Sequence, residues 1–204
     1  MRRTKEEAAI TREQLLKKAL AVFSKKGYAA TTLEDIAREA EVTRGAIYWH
    51  FGSKAELYNT LIREYSDRGS AIMQQAAAEG GTLLDILRRV FVRQLQAIEE
   101  DSALRALMEL QLFKTGLVPE LEEGRQQQIE ASVGLVEMLT DIMGQGIQAG
   151  LLRSGVEPKE MARAYLAFQN GLIYLWLTTP IQFSVKASAE SFADILMAGL
   201  RAQK

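Results

Sequence analysis

Nine consecutive residues, Thr43-Arg44-Gly45-Ala46-Ile47-Tyr48-Trp49-His50-Phe51, gather side chains suited to gripping a nucleic acid. An arginine in the first turn of a helix offers a bidentate fork to guanine O6 and N7. Gly45 weakens the helix it sits in, which makes sense where a backbone must approach DNA closely. Thr32 and Thr43 fall at helix starts, where hydroxyls and unpaired backbone N–H groups favour phosphate. Tyr48, His50 and Lys54 lie within reach of the strand backbone. Tyr48 and Trp49 cannot both face one core from adjacent helical positions, so at least one is expected on the DNA side. His50 is the only histidine. A metal site built on it would need carboxylates for all its other ligands, so phosphate contact is the favoured role and no metal is expected.

These residues need a scaffold, and the pattern of the chain supplies one. Threonine caps recur at Thr4, Thr11, Thr32 and Thr43. The first helix carries Leu16, Ala19, Leu20 and Phe23 on one face and stops at Gly27. A second, opened by Thr32 with Asp35, places Leu33, Ile36, Ala37 and Ala40 inward. Val42 and Ile47 form a staple that fixes the entry angle of the third, which ends near Phe51-Gly52. Two short helices joined by a tight turn let one brace against the strand while the next enters the major groove. Ser53 to Glu56 opens a fourth helix carrying Leu57, Leu61 and Tyr65, read as a connector over residues 53–66. Periodicity resumes over 82–100, 103–114, 119–148, 158–178 and 188–202, with Pro119, Pro158 and Pro180 at boundaries. The expectation is an all-α chain of about nine helices. Residues 1–52 form a three-helix DNA-binding domain, and 53–204 a helical ligand-binding and dimerisation domain.

Composition narrows the chemistry. The 204 residues are 48% hydrophobic and lack cysteine, which excludes thiol chemistry and disulfides and fits a reducing compartment. Residues 1–64 carry 12 Lys/Arg against 9 Asp/Glu, while the remainder carries 13 against 17. The positive front suits phosphate but is too mild to argue DNA by itself. No leader and no spanning segment are legible, so a cytoplasmic, non-membrane protein is expected. An enzyme is not expected, because histidine outside the motif, a nucleophile elbow and a phosphate loop are all missing.

The run Asp35-Ile-Ala-x-x-Ala-x-Val-Thr-Arg-Gly-Ala-Ile-Tyr-Trp-His-Phe51-x-x-Lys54-x-x-Leu57 resembles the DNA-binding signature of the TetR family. With the opening Arg2-Arg3-Thr4-Lys5-Glu6-Glu7 it is similar to the AcrR/TtgR-like multidrug-efflux regulators within that family. Phe168-Gln-Asn-Gly-Leu-Ile-x-x-Trp176 resembles the penultimate helix of that subgroup, where a polar residue before Gly-Leu-Ile lies in the drug pocket. The resemblance implies a repressor that binds a palindromic operator in double-stranded DNA as a homodimer, joined through its two C-terminal helices. A hydrophobic small molecule would release it, and no cofactor is needed. The alternative is a regulator or activator of the same kind without an inducer.

For the pocket, Asn170 is the one amide on the stripe Leu166, Asn170, Ile173, Leu177, with Tyr174 a turn further on. It is either a hydrogen-bonded core asparagine or a ligand-orienting group. Gln169 precedes it as the second polar candidate. Met108, Leu112, Phe113 and Met138 either line the same pocket or fill the core. Glu109 either joins them or faces solvent.

Overall fold

The computed structural model describes residues 5–179 and 183–202, with side chains from Arg12 onward except that of residue 65. The caps expected at Thr4, the Tyr65 side chain and the boundary at Pro180 lie outside the described residues. Nine α-helices account for most of what is described: α1 (Lys5–Lys26), α2 (Leu33–Glu39), α3 (Arg44–Phe51), α4 (Lys54–Ala78), α5 (Leu83–Glu100), α6 (Ser102–Glu109), α7 (Glu122–Gln148), α8 (Pro158–Thr178) and α9 (Val185–Leu200). A π turn, Leu110–Lys114, continues α6, and a 3-10 turn, Pro119–Leu121, leads into α7.

Most starts fall where the caps predict. Thr32 forms a complete capping box with Asp35, and Thr82, which the sequence marked only by renewed periodicity, forms another with Asp85. Thr43 accepts from Ala46 N–H, and Ser53 accepts from Glu56 N–H at 3.0 Å. Two expectations need correction. α1 runs unbroken through Thr11, so that residue is not a start. α4 continues to Ala78 rather than ending near 66, because only Gly69, no proline, interrupts its helix-forming sequence.

The chain divides into two compact units along lines other than a cut after residue 52. The first comprises residues through Arg68 with Ser102–Gly124; the second comprises Gly69–Asp101 with Arg125 onward. The reason in the first unit is apolar burial. Leu107, Leu110 and Leu121 join Leu15, Leu16, Phe23, Ile36, Ile47 and Leu57 in one core. Each such side chain contributes about 1.5–3 kcal/mol when fully buried. Phe23 stacks on Tyr28 with centroids 5.7 Å apart, and Tyr58 meets both rings edge-on. Polar contacts fasten the π turn to the end of α1: Tyr28 N–H donates to Lys114 O at 3.0 Å, and Lys114 Nζ donates to Ser24 O at 2.7 Å.

In the second unit α5 packs against α9 and α8. The Arg88 guanidinium on α5 bonds Asp194 through Nε and Nη2 at 3.0 and 2.9 Å, and also pairs with Glu190. At the far end of α5, Glu99 accepts from Lys186 N–H at 2.8 Å and from the Ser184 hydroxyl, closing the N-terminus of α9. Arg89 caps the end of α4 by donating to Ala76 O at 2.6 Å and Gly80 O at 3.1 Å.

Two turns of the first unit make the same left-handed backbone demand and meet it with different residues. Gly27 has φ 77°, and a Cβ there would meet Lys114 O at 3.0 Å. Glu41, in the turn between α2 and α3, has φ 55° and is a residue for which that conformation is strained. Gly27→Ala is expected to destabilise the protein by about 1–2 kcal/mol, and Glu41→Gly to stabilise it by about 0.5–1 kcal/mol, measured as opposite shifts in thermal midpoint.

Candidate nucleic-acid interface

α3 owes its orientation to a division of its faces. Ile47 and Phe51 are buried, whereas Thr43, Arg44, Gly45, Tyr48 and Trp49 are exposed. Trp49 is 74% exposed, an arrangement that costs hydration free energy unless a partner covers the ring. Its edge meets the half-buried His50 ring at 4.6 Å. No side chain crowds Gly45, whose nearest neighbour to an added Cβ is the Thr43 hydroxyl at 3.8 Å. The Thr43 hydroxyl accepts from Ala46 N–H at 3.2 Å, which leaves its own proton to donate to a phosphate. The equivalent proton of Thr32 is committed, because that hydroxyl donates to Asp35 Oδ2 at 2.9 Å.

Arg44 lies along the exposed face. Its Nη2 donates to Tyr48 Oη at 2.9 Å, its carbon lies 5.2 Å from the centre of that ring, and Nη1 stands 3.5 Å from Glu34 Oε2 on α2. These neighbours hold the guanidinium firmly protonated, Tyr48 first and Glu34 after it. Asp35 is tied down locally by Lys26 at 2.7 Å, Arg38 and Thr32. Its carboxyl is held well below the usual carboxylate range, chiefly by Lys26 and then by the Thr32 bonds. The folded value is depressed, so the stability this cap contributes is present above the unfolded carboxyl value and is lost as pH falls through the folded one.

Lys54, expected to reach the strand backbone, is bonded within its own unit. Its ammonium donates to Tyr28 O at 3.2 Å and Thr31 O at 3.1 Å, lies 4.3 Å from the Tyr28 ring centre, and has Glu120 Oε1 at 3.7 Å. The side chain is only 21% exposed. Tyr28 completes the node by donating to Glu120 at 2.6 Å. Burial, with that carboxylate after it, pushes the phenol far above its ordinary value. Tyr28 and Glu120 were missed by the motif reading, since Glu120 lies 92 residues along the chain from Tyr28.

The pocket candidates divide between the units. In the first, Leu112 and Phe113 are exposed on the π turn, Met108 is half-buried, and Glu109 pairs with Arg105 at 3.0 Å. In the second, Gln169 and Ile173 are buried, Leu166 is half-buried, and Met138 and Tyr174 are exposed. Asn170 is exposed too, so the amide on the inner face of α8 is Gln169. Gln169 Nε2 donates to Gln94 Oε1 at 2.5 Å, while Gln169 Oε1 is buried without a partner. Phe91 stacks on Phe168 and meets Tyr165 edge-on nearby in the same unit. Gln94 escaped the sequence reading, although its place three residues after Phe91 sets it beside the apolar face of α5.

A capped short helix, braced by a second and baring an arginine and two aromatic rings, defines a helix-turn-helix DNA-binding regulator. The model of bacterial regulatory proteins of the tetR family matches residues 15–61, and that of the MAATS-type transcriptional repressor C-terminal region matches residues 83–201. The chain is 31% identical over 197 residues to the HTH-type transcriptional regulator AcrR of Shigella flexneri, covering 96% of this chain and 92% of that one. It is similar to NalD of Pseudomonas aeruginosa, the secondary repressor of the MexAB-OprM multidrug efflux pump, at a TM-score of 0.85 and 27% identity, with 97% and 98% of the two chains covered. It is also similar to SmeT, solved as a triclosan complex, at a TM-score of 0.79 and 26% identity, with 94% and 92% covered. The chain belongs to the TetR family, and its work is transcriptional regulation rather than catalysis.

Because Lys54 serves the protein's own carbonyls, Lys54→Met is expected to destabilise the fold by about 1–3 kcal/mol. Its slope of log affinity against log salt should match that of the unaltered protein; a lysine on phosphate would instead lower the slope by about 1 on removal.

Proposed function

We propose that the chain is a ligand-responsive repressor that seats α3 of each subunit of a homodimer in successive major grooves of a palindromic operator. A hydrophobic small molecule then releases it. The observation that carries the DNA half is the face of α3: Arg44, Tyr48 and Trp49 are exposed together, while Ile47 and Phe51 anchor the helix from behind. In this reading Arg44 contacts base edges, and Thr43, Tyr48 and His50 position the strand. Contact with DNA falls within residues 1–52, and effector and dimer functions within 53–204. This reading carries with it a cytoplasmic location. Among the described residues no helix is long and apolar enough to cross a membrane.

Dimerisation through α8 and α9 is supported by their exposed small and apolar residues, Ala164, Ala167, Gly171 and Leu175 on one and Ile195 and Ala198 on the other. Two recognition helices must lie about 34–36 Å apart to meet successive grooves, so an effector that favours another spacing weakens binding without touching DNA. The effector half rests on Gln169. A buried amide oxygen without a partner costs about 1–3 kcal/mol, which a guest carrying a hydrogen-bond donor recovers. NalD as an efflux-pump repressor and SmeT with triclosan support a multidrug efflux system as the target and an apolar compound as the effector.

The test is a gel shift on the intergenic DNA beside the gene, at fixed salt, with and without a panel of hydrophobic compounds including triclosan. Specific binding abolished by one compound is expected, and binding at no salt concentration would overturn the proposal. Arg44→Ala should cost about 1–3 kcal/mol of operator affinity and relax base preference. Gln169→Leu should keep operator affinity and blunt release by the compound; an unchanged release curve would remove Gln169 from the effector site.

A further inference from the structure

We propose that Gln94 and Gln169 form a reversible hydrogen-bond anchor for the effector, in which Gln94 decides whether Gln169 shows a guest its amide oxygen or its amide nitrogen. The effector class that follows is an apolar molecule bearing one polar group of either kind: a donor such as a phenol or a ring N–H, or an acceptor such as a ketone. The inference rests on the reading of Gln169 as an effector contact.

α5 and α8 meet in successive rungs. Tyr165 Oη donates to Leu87 O at 2.9 Å, Phe168 stacks on Phe91 with centroids 5.9 Å apart, and Gln169 Nε2 donates to Gln94 Oε1 at 2.5 Å. One turn further along, Ile98 on α5 and Ile173 on α8 are both buried. The amide pair is thus one polar rung in an apolar ladder. As a structural element it is poorly made: Gln169 is 7% exposed, and its Oε1 is left without a partner. An apolar rung would serve the fold as well or better, since a buried acceptor left unmade costs more than one neutral hydrogen bond returns.

Two amides that face each other can exchange roles. The oxygen and nitrogen of a glutamine amide are nearly the same size, and its terminal torsion is broad and two-fold. As arranged, Gln169 donates to Gln94 and bares its oxygen, which suits a guest with a donor. Turned over together, Gln94 Nε2 donates to Gln169 Oε1, and Gln169 bares its nitrogen to a guest with an acceptor. One hydrogen bond joins the pair in both arrangements, and the backbones of α5 and α8, held by the neighbouring rungs, need not move. Each guest selects the arrangement that it binds, so affinity for acceptor guests depends on the ability of Gln94 to donate.

The experiment uses three tricyclic probes of one shape: carbazole, whose N–H only donates, fluorenone, whose carbonyl only accepts, and fluorene, which does neither. Their affinities are measured by titration calorimetry at mildly alkaline pH for the full chain, Gln94→Glu, Gln169→Leu and the double variant, with thermal midpoints to verify the fold. The unaltered protein is expected to bind carbazole and fluorenone each about three- to tenfold tighter than fluorene. In Gln94→Glu the introduced carboxylate only accepts, so Gln169 must go on donating to it. Carbazole keeps its advantage, and fluorenone falls to the affinity of fluorene. In Gln169→Leu the three probes bind alike, and adding Gln94→Glu to it leaves their ratios where they were. Fluorenone binding no tighter than fluorene to the unaltered protein, a Gln94→Glu change that weakens both polar probes alike, or a shift in ratio that persists without Gln169 would each overturn the proposal. Binding of none of the three, or affinities unchanged in Gln169→Leu, would remove the effector reading of Gln169 itself, and the proposal with it.

Discussion

A lysine ammonium taken largely out of water must find oxygen on nearly every side, and Lys54 finds it in the chain that precedes it. The carbonyls of Tyr28 and Thr31 accept two of its protons, the Tyr28 ring faces it, and Glu120 supplies countercharge. Those carbonyls belong to the link between α1 and α2, where Tyr28 O also accepts from Thr31 N–H at 3.2 Å, beside a stacked aromatic cluster. The first residue of α4 thus locks the segment that launches the helix-turn-helix. Thr31 adds a hydroxyl bond to Gly27 O, and Tyr28 N–H reaches Lys114 O, so the same few residues also receive the end of the π turn. The exposed face of α3 is held by its own buried Ile47 and Phe51, in the same core that this node borders through Tyr28.

The charge balance looks different once the fold is known. Residues 1–64 carry 12 basic against 9 acidic side chains, but the compact unit that contains them also includes residues 65–68 and 102–124, and there the balance is 15 to 14. Several of those cations are also engaged: Lys18 with Glu39, Lys26 with Asp35, Arg12 with Glu64. DNA recognition by this unit therefore depends on which few groups face outward on α2 and α3, and less on a broad positive field.

Much of the fold was legible because its signals are local. Thr32 with Asp35, Thr43 and Ser53 each announce a helix within four residues, and the structure starts helices at all three. What was not legible depends on distant partners. Nothing within a few residues of Lys54 says that its ammonium will meet carbonyls at 28 and 31 and a carboxylate at 120. Asn170 and Gln169 are neighbours of equal polarity, and which one turns inward depends on the rotation of α8, fixed by Tyr165 bonding Leu87 O and by Phe168 stacking on Phe91. The grouping of α6 with the N-terminal helices is likewise decided by Leu107 and Leu110 entering a core that the sequence leaves about 50 residues behind.

The π turn at Leu110–Lys114 has a consequence for how this chain tolerates changes in length. Such a turn is an α-helix holding one residue in excess. A single-residue deletion there returns the segment to ordinary α geometry, with Lys114 and Thr115 still near the end of α1. The same deletion inside α5 rotates every following side chain by about 100° about the helix axis, carrying Glu99 away from the N-terminus of α9. The π turn, inside the unit that carries the recognition helix, is thus a place where the loss of one residue can be absorbed without a change of helical register.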